Sequence, residues 1–229
     1  MKSIKEFYGR VKSEYGLKTT VFALISLAAS VAFATMNGVI ALGERSLWYG
    51  ALAIYYILLI LFRGATIVAD RLSKRLCGDE TAYACARNKI YLGCGAFLVI
   101  VQIAMCLAVT QMVMYGTPVR GGMIYAIATA TYAFYKIIMA IVHLVKAKKY
   151  ADPVSQALRN LNFADACMSM ASLTVLMLAV FDSGEDGTFS ITIKACVGFA
   201  ACIAVLFVAS AMIIKAVHAI KENGSKTDE

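Results

Sequence analysis

Six long apolar segments divide this chain, and its Lys and Arg residues crowd into every second gap between them. That alternation constrains the fold more than any motif. A helix needs about 20 mostly apolar residues to cross roughly 30 Å of hydrocarbon, and basic residues in short loops resist translocation. The segments run approximately from Lys18 to Leu42, Leu47 to Ala69, Ile90 to Tyr115, Met123 to Val145, Leu161 to Phe181 and Thr192 to Ala216. The alternating ten-residue segments of a membrane barrel are absent. With 61% apolar and 16% charged residues and a mean hydropathy of +0.74, the 229-residue chain has too little polar surface to cover a soluble globule. The expected fold class is all-α, a polytopic membrane protein of six transmembrane helices.

The basic residues set the expected orientation. Lys2, Lys5, Arg10 and Lys12 precede the first span; Arg71, Lys74, Arg75, Arg87 and Lys89 follow the second; Lys146, Lys148, Lys149 and Arg159 follow the fourth; Lys221 and Lys226 follow the sixth. The other gaps hold Arg45, Arg120 and, at a span edge, Lys194, and the last of them is acidic through Asp182, Glu185 and Asp186. Both termini are therefore expected in the cytoplasm, with the chain multi-pass in the inner (cytoplasmic) membrane of a cell. The net charge of +8 belongs to the inner rim, where anionic headgroups are its expected partners, and it is no argument for nucleic acid.

Residues 1–17 lack the pattern of a cleaved signal and place Ile4, Phe7, Tyr8, Val11 and Tyr15 at helical spacing, as an interfacial amphipathic helix would. Residues 18–221 form the expected transmembrane domain and 222–229 a polar tail. The seven cysteines include no CxxC pair and are expected as free thiols. Neither proline, Pro118 or Pro153, interrupts a span; both fall in expected loops. Gly38, Gly64, Gly95 and Gly198 mark candidate close helix crossings. Two short basic stretches, AIVHLVK from Ala140 and KAVHAIK from Lys215, echo one another at the inner ends of spans four and six.

Charges inside spans are expensive and mark candidate sites. Arg63, Lys136 and Asp165 are the three. At about 1.5 Å per residue they lie roughly 6 to 14 Å from the inner ends of their helices, so they are able to meet. The expectation is that Asp165 pairs with Lys136 or Arg63, against the alternative in which the two long side chains snorkel to the headgroups. Polar stripes accompany them: Tyr49, Tyr56, Arg63 and Asp70 on span two, Gln102, Cys106 and Thr110 on span three, Tyr125, Tyr132, Lys136, Met139 and His143 on span four, Asn162, Asp165, Ser169 and Ser172 on span five, and Ser26, Ser30 and Asn37 on span one. The candidate core lining is Tyr56, Tyr132, Asn162, Ser169, Ser172 and Gln102. Trp48, Tyr49 and Tyr125 fit an interfacial aromatic belt. His143 and His218 sit at inner span ends without an evident ligand set. No HExxH, GxSxG or P-loop occurs, so neither catalysis, nor a cofactor, nor a metal site is expected.

The order of elements resembles the membrane domain of the cation diffusion facilitator family: six spans, a basic loop after the second, and a loop after the fourth leading into a polar fifth. The stretch SLWYGALAIYY from Ser46 is similar to that family's second span, and Met168, Ser172 and Val175 align with its fifth. The resemblance implies Leu52, Tyr56, Ala164 and Met168 at the four metal-ligand positions. Leu52 and Ala164 carry no donor atom, so what the resemblance implies is the scaffold and a homodimer, not metal export. The expected function is movement of a small solute or ion, coupled through the charge cluster. The alternative is a non-transporting membrane subunit that binds a partner protein or lipid.

Overall fold

In a computed structural model of the chain, residues 30–43, 45–78, 80–115, 127, 129–138, 153–181 and 187–225 are described, and they are helical almost throughout, with no strand among them. The helices are α1 (Ser30–Gly43), α2 (Leu47–Leu76), α3 (Glu80–Tyr115), α4 (residues 129–138), α5 (Pro153–Phe181) and α6 (Gly187–Ser225). Among the described residues, four stretches are long and apolar enough to cross a membrane: Leu47–Leu76, Ala82–Tyr115, Pro153–Leu178 and Thr188–Lys221. The described parts of expected spans one and four are the shorter helices α1 and α4. The interfacial segment 1–17, Ser26, Pro118, Tyr125, Met139, His143 and the acidic loop residues Asp182, Glu185 and Asp186 lie outside the described residues.

The helices outrun the apolar segments that define them. The 36 residues of α3 reach about 54 Å at 1.5 Å per residue, well beyond a hydrocarbon layer of roughly 30 Å. The stretch from Asp70 to Lys89, expected as a basic loop, is mostly helix: α2 continues to Leu76 and α3 begins at Glu80. Only Cys77, Gly78 and Asp79 connect them. Helix propensity and the macrodipole favour this extension, because Lys74 and Arg75 sit in the last turn of α2, where cations complement the carbonyl end. Cys77 ends the helix, its N–H donating to Ser73 O at 2.9 Å. Pro153 is likewise no loop residue; it opens α5 at the position where a missing N–H costs nothing. α6 runs to Ser225, so helix continues into the polar residues that follow the last apolar segment.

Between α1 and α2 the chain turns sharply through Arg45, which takes a left-handed φ of 48°. Ser46 then adopts an extended conformation as the N-cap of α2, and its carbonyl accepts from Gly50 N–H at 3.1 Å.

Packing is tightest where α3 crosses α6, the most extensive helix contact among the described elements. A Cβ built on Gly198 would lie 2.9 Å from Val109 Cγ1, and one on Gly95 would lie 2.9 Å from Ile213 Cγ1. Both glycines are close-approach points, as in other membrane helix pairs. Gly64 meets nothing and Gly38 makes only an ordinary contact with Ala53. The buried core joins Leu52, Tyr56 and Leu59 of α2 to Leu98, Met105 and Val109 of α3, Leu161 and Met168 of α5, and Val205 and Met212 of α6.

Outside, the polarity is that of a lipid-facing surface. Ile54, Leu61 and Val68 on α2, Ile100, Ile103 and Leu107 on α3, and Ile203, Phe207 and Ile214 on α6 are all exposed. Apolar stripes of that extent are foreign to a water-soluble monomer.

Candidate functional site: a shared carboxylate in the bundle core

Asp165 accepts from two cations on two other helices. Arg63 Nη2 on α2 donates to Asp165 Oδ2 at 2.8 Å, and Lys136 Nζ on α4 donates to Asp165 Oδ1. All three residues are buried, Asp165 at 3%, Lys136 at 8% and Arg63 at 9% exposure. Neither long side chain snorkels. Arg63 Nη2 also lies 3.4 Å from Leu161 O, one turn before Asp165, so the guanidinium spans carbonyl and carboxylate together. Its Nε is buried without a hydrogen-bond partner among the described residues.

The inward stripe of α2 brings Arg63 to this place. Tyr49, Tyr56 and Arg63 recur every seven residues, two turns apart, and all are buried. Trp48 and Tyr49 therefore belong to the core, at 3% and 1% exposure, and not to the interfacial belt expected of them. Asp70, the next step of the stripe, leaves the core and receives the Tyr83 hydroxyl at 3.1 Å, with Arg87 at 3.6 Å.

The core lining reads from α5 outward. Ser169 donates to Asp165 O at 2.8 Å, which uses its one proton. The Tyr56 hydroxyl, 3.0 Å from Ser169 Oγ, is then the donor of that bond. Ser172 is buried one turn further along, while Asn162 is only partly buried. Gln102 on α3 is fully buried and directs its amide nitrogen to Met168 Sδ at 3.9 Å. Its stripe does not extend as expected, because Thr110 is exposed and bonds back to Cys106 O at 2.9 Å. Successive four-residue steps on a helix of 3.6 residues per turn rotate by about 40°, so 102, 106 and 110 walk off the buried face. His218 is exposed.

Three rings enclose the Lys136 ammonium. Its Nζ lies 4.4 Å from the centroid of Tyr132, 4.8 Å from Tyr56 and 6.0 Å from Phe33. The rings support one another: Phe33 stacks on Tyr132 at 4.3 Å and meets Tyr56 edge-on at 5.3 Å. Cation–π attraction at such distances is worth about 0.5 to 2 kcal/mol per contact, most in a desolvated place. Phe33 was not legible as a site residue, since nothing separates it from its apolar neighbours in sequence. Tyr132 and Lys136 were, at i and i+4 on one helix.

The four positions implied by the cation diffusion facilitator resemblance, Leu52, Tyr56, Ala164 and Met168, are all buried. Among the described residues no group of three or more His, Cys, Asp or Glu comes together as a metal site would require. No protein-family model matches the chain, and no curated protein or solved structure matches it. What fold and site define is a class: an apolar multi-helix bundle of membrane-spanning dimensions, built around two cations and one carboxylate.

Proposed function

We propose that the chain is a six-span protein of the inner membrane, termini in the cytoplasm, that moves a small solute or ion with coupling through Arg63, Lys136 and Asp165. The observation that carries this reading is the single Asp165 carboxylate held by two buried cations from two other helices. Purely structural needs are met more cheaply by apolar residues, because a buried ionic cluster rarely stabilises a bundle beyond well-packed hydrophobes of similar volume. Ionisable groups within spans are characteristic of ion and proton paths. The cluster also lies where α2, α4 and α5 converge, so a change in its pairing would be felt by three helices at once.

A second reading has its own support. Asp165 is already fully engaged by its two partners, and the exposed apolar stripes of α2, α3 and α6 offer a surface to a partner helix or to lipid as well as to bulk bilayer. In that reading the chain is a non-transporting membrane subunit. A homodimer, and contacts of the basic inner rim with anionic headgroups, fit either one; catalysis and nucleic-acid binding belong to neither.

Single-cysteine variants at Ser169 and Ser172, in a background lacking the native cysteines, separate the two. Labelling by a membrane-impermeant thiol reagent, abolished by Asp165→Leu, is the expected result for transport. No labelling by the impermeant reagent from either side of the membrane is the result for a sealed core.

A further inference from the structure

The surroundings of Lys136 are those of a receptor for an ammonium ion. A carboxylate faces the ammonium from α5, and rings from α1, α2 and α4 close around it at 4.4 to 6.0 Å. Aromatic enclosure with a neighbouring anion is how proteins recognise alkylammonium ligands. Here the occupant is a side chain of the protein itself. We propose that this cage is the binding site for a small primary alkylammonium ion, and that Lys136 is its tethered competitor. The inference rests on the transport reading and names the class of its cargo.

Charge bookkeeping dictates how the exchange runs. With its groups in their ordinary ionised forms the cluster holds two positive charges and one negative. A second ammonium entering beside Lys136 would put three cations on one carboxylate in a low-dielectric core, where like charges repel strongly. The exchange therefore conserves charge: the incoming R–NH3+ takes the place on Asp165 Oδ1 and among the rings, and Lys136 leaves as R–NH2 after releasing one proton to water. No covalent bond other than that N–H changes. Arg63 keeps its bond to Asp165 Oδ2 throughout, so the carboxylate stays oriented. One cation enters for each proton released, which makes the site that of an electroneutral cation–proton antiporter.

Among the described residues, the titratable and charged groups facing Lys136 are Asp165 on α5, Arg63 and Tyr56 on α2, and Tyr132 on α4 itself. α1 contributes the uncharged Phe33. A phenol is ordinarily a weak acid, protonated at neutral pH, and a guanidinium ordinarily keeps its proton. Lys136 is left as the group whose proton is exchanged.

The test uses the purified full-length chain in detergent with n-butylammonium, whose ammonium and four carbons match the lysine side chain. Expected are release of about one proton per chain on binding, and an apparent Kd that falls about tenfold for each unit rise in pH across the range where Lys136 is charged. Lys136→Met should bind butylammonium without proton release and without that pH dependence, and Asp165→Asn should not bind it. If Lys136→Met fails to fold, proton release and pH dependence in the unmodified chain still decide. Absence of butylammonium binding overturns the inference, as does binding unlinked to protons or linkage to acetate or chloride in its place. If Ser172→Cys is nonetheless labelled from water, the transport reading stands without this cargo; if it is not, both fall together.

Discussion

Arg63 and Asp165, 102 residues apart in sequence, meet at 2.8 Å in the middle of the bundle. The guanidinium reaches the carboxylate with the same Nη2 that approaches Leu161 O at 3.4 Å, so one planar head ties α2 to two successive levels of α5.

Arg63→Lys should break that tie although the charge is kept. A compact, freely rotating ammonium lacks the planar head whose Nη2 holds two N–H groups in fixed directions, toward the carboxylate and toward the carbonyl. The expected loss is about 1 to 3 kcal/mol, read from SDS-titrated unfolding in mixed micelles.

Tyr56 and Ser169 form a relay onto the Asp165 backbone, the phenol donating to Ser169 and Ser169 donating to Asp165 O. Tyr56→Phe and Ser169→Ala should each cost about 1 kcal/mol. Because they share one bond, the double variant should lose less than the sum of the two, and a double-mutant cycle measures the difference.

At the α3–α6 crossing, Gly198→Leu has nowhere to place its side chain, with Val109 Cγ1 already 2.9 Å from the first added carbon. A β-branched neighbour on a helix has little rotamer freedom with which to yield. Overpacking of this kind costs about 1 to 3 kcal/mol. Adding Val109→Ala should return part of the loss, as followed by thermal unfolding in detergent.

Much of this was legible in the sequence because hydrocarbon imposes a coarse and strict rule. Long apolar runs gave the helices, and rare charges deep within them gave Arg63, Lys136 and Asp165, since an ion in hydrocarbon is costly without a partner. The periodicity of seven in α2 predicted that Tyr56 and Arg63 share a face. It also implied that Tyr49 is buried, which the aromatic-belt reading overlooked. Helix ends were less legible. The Asp70 to Lys89 region reads as a loop by polarity, yet polar residues continue a helix readily once it leaves the hydrocarbon, and hydropathy is blind to that. Phe33 was invisible for the opposite reason: its role comes from an aromatic neighbour on α4 and a lysine beyond it, a tertiary fact with no local signature. In sequence Gly95 and Gly198 are candidate crossing points no different from Gly64, and only the crossing of α3 and α6 distinguishes them from Gly64, which faces open space.

The central claim is that Asp165 is one anion shared by two cations, and unfolding of single, double and triple variants of the cluster side by side tests it most directly. Asp165→Leu leaves Arg63 and Lys136 buried without their counterion and should cost about 3 to 5 kcal/mol. Adding Arg63→Met and Lys136→Met removes both stranded charges, and the triple variant should recover most of that stability. Losses that simply add, with Arg63→Met and Lys136→Met each costing the same whether or not Asp165 is present, would contradict the shared cluster and the functional account built on it.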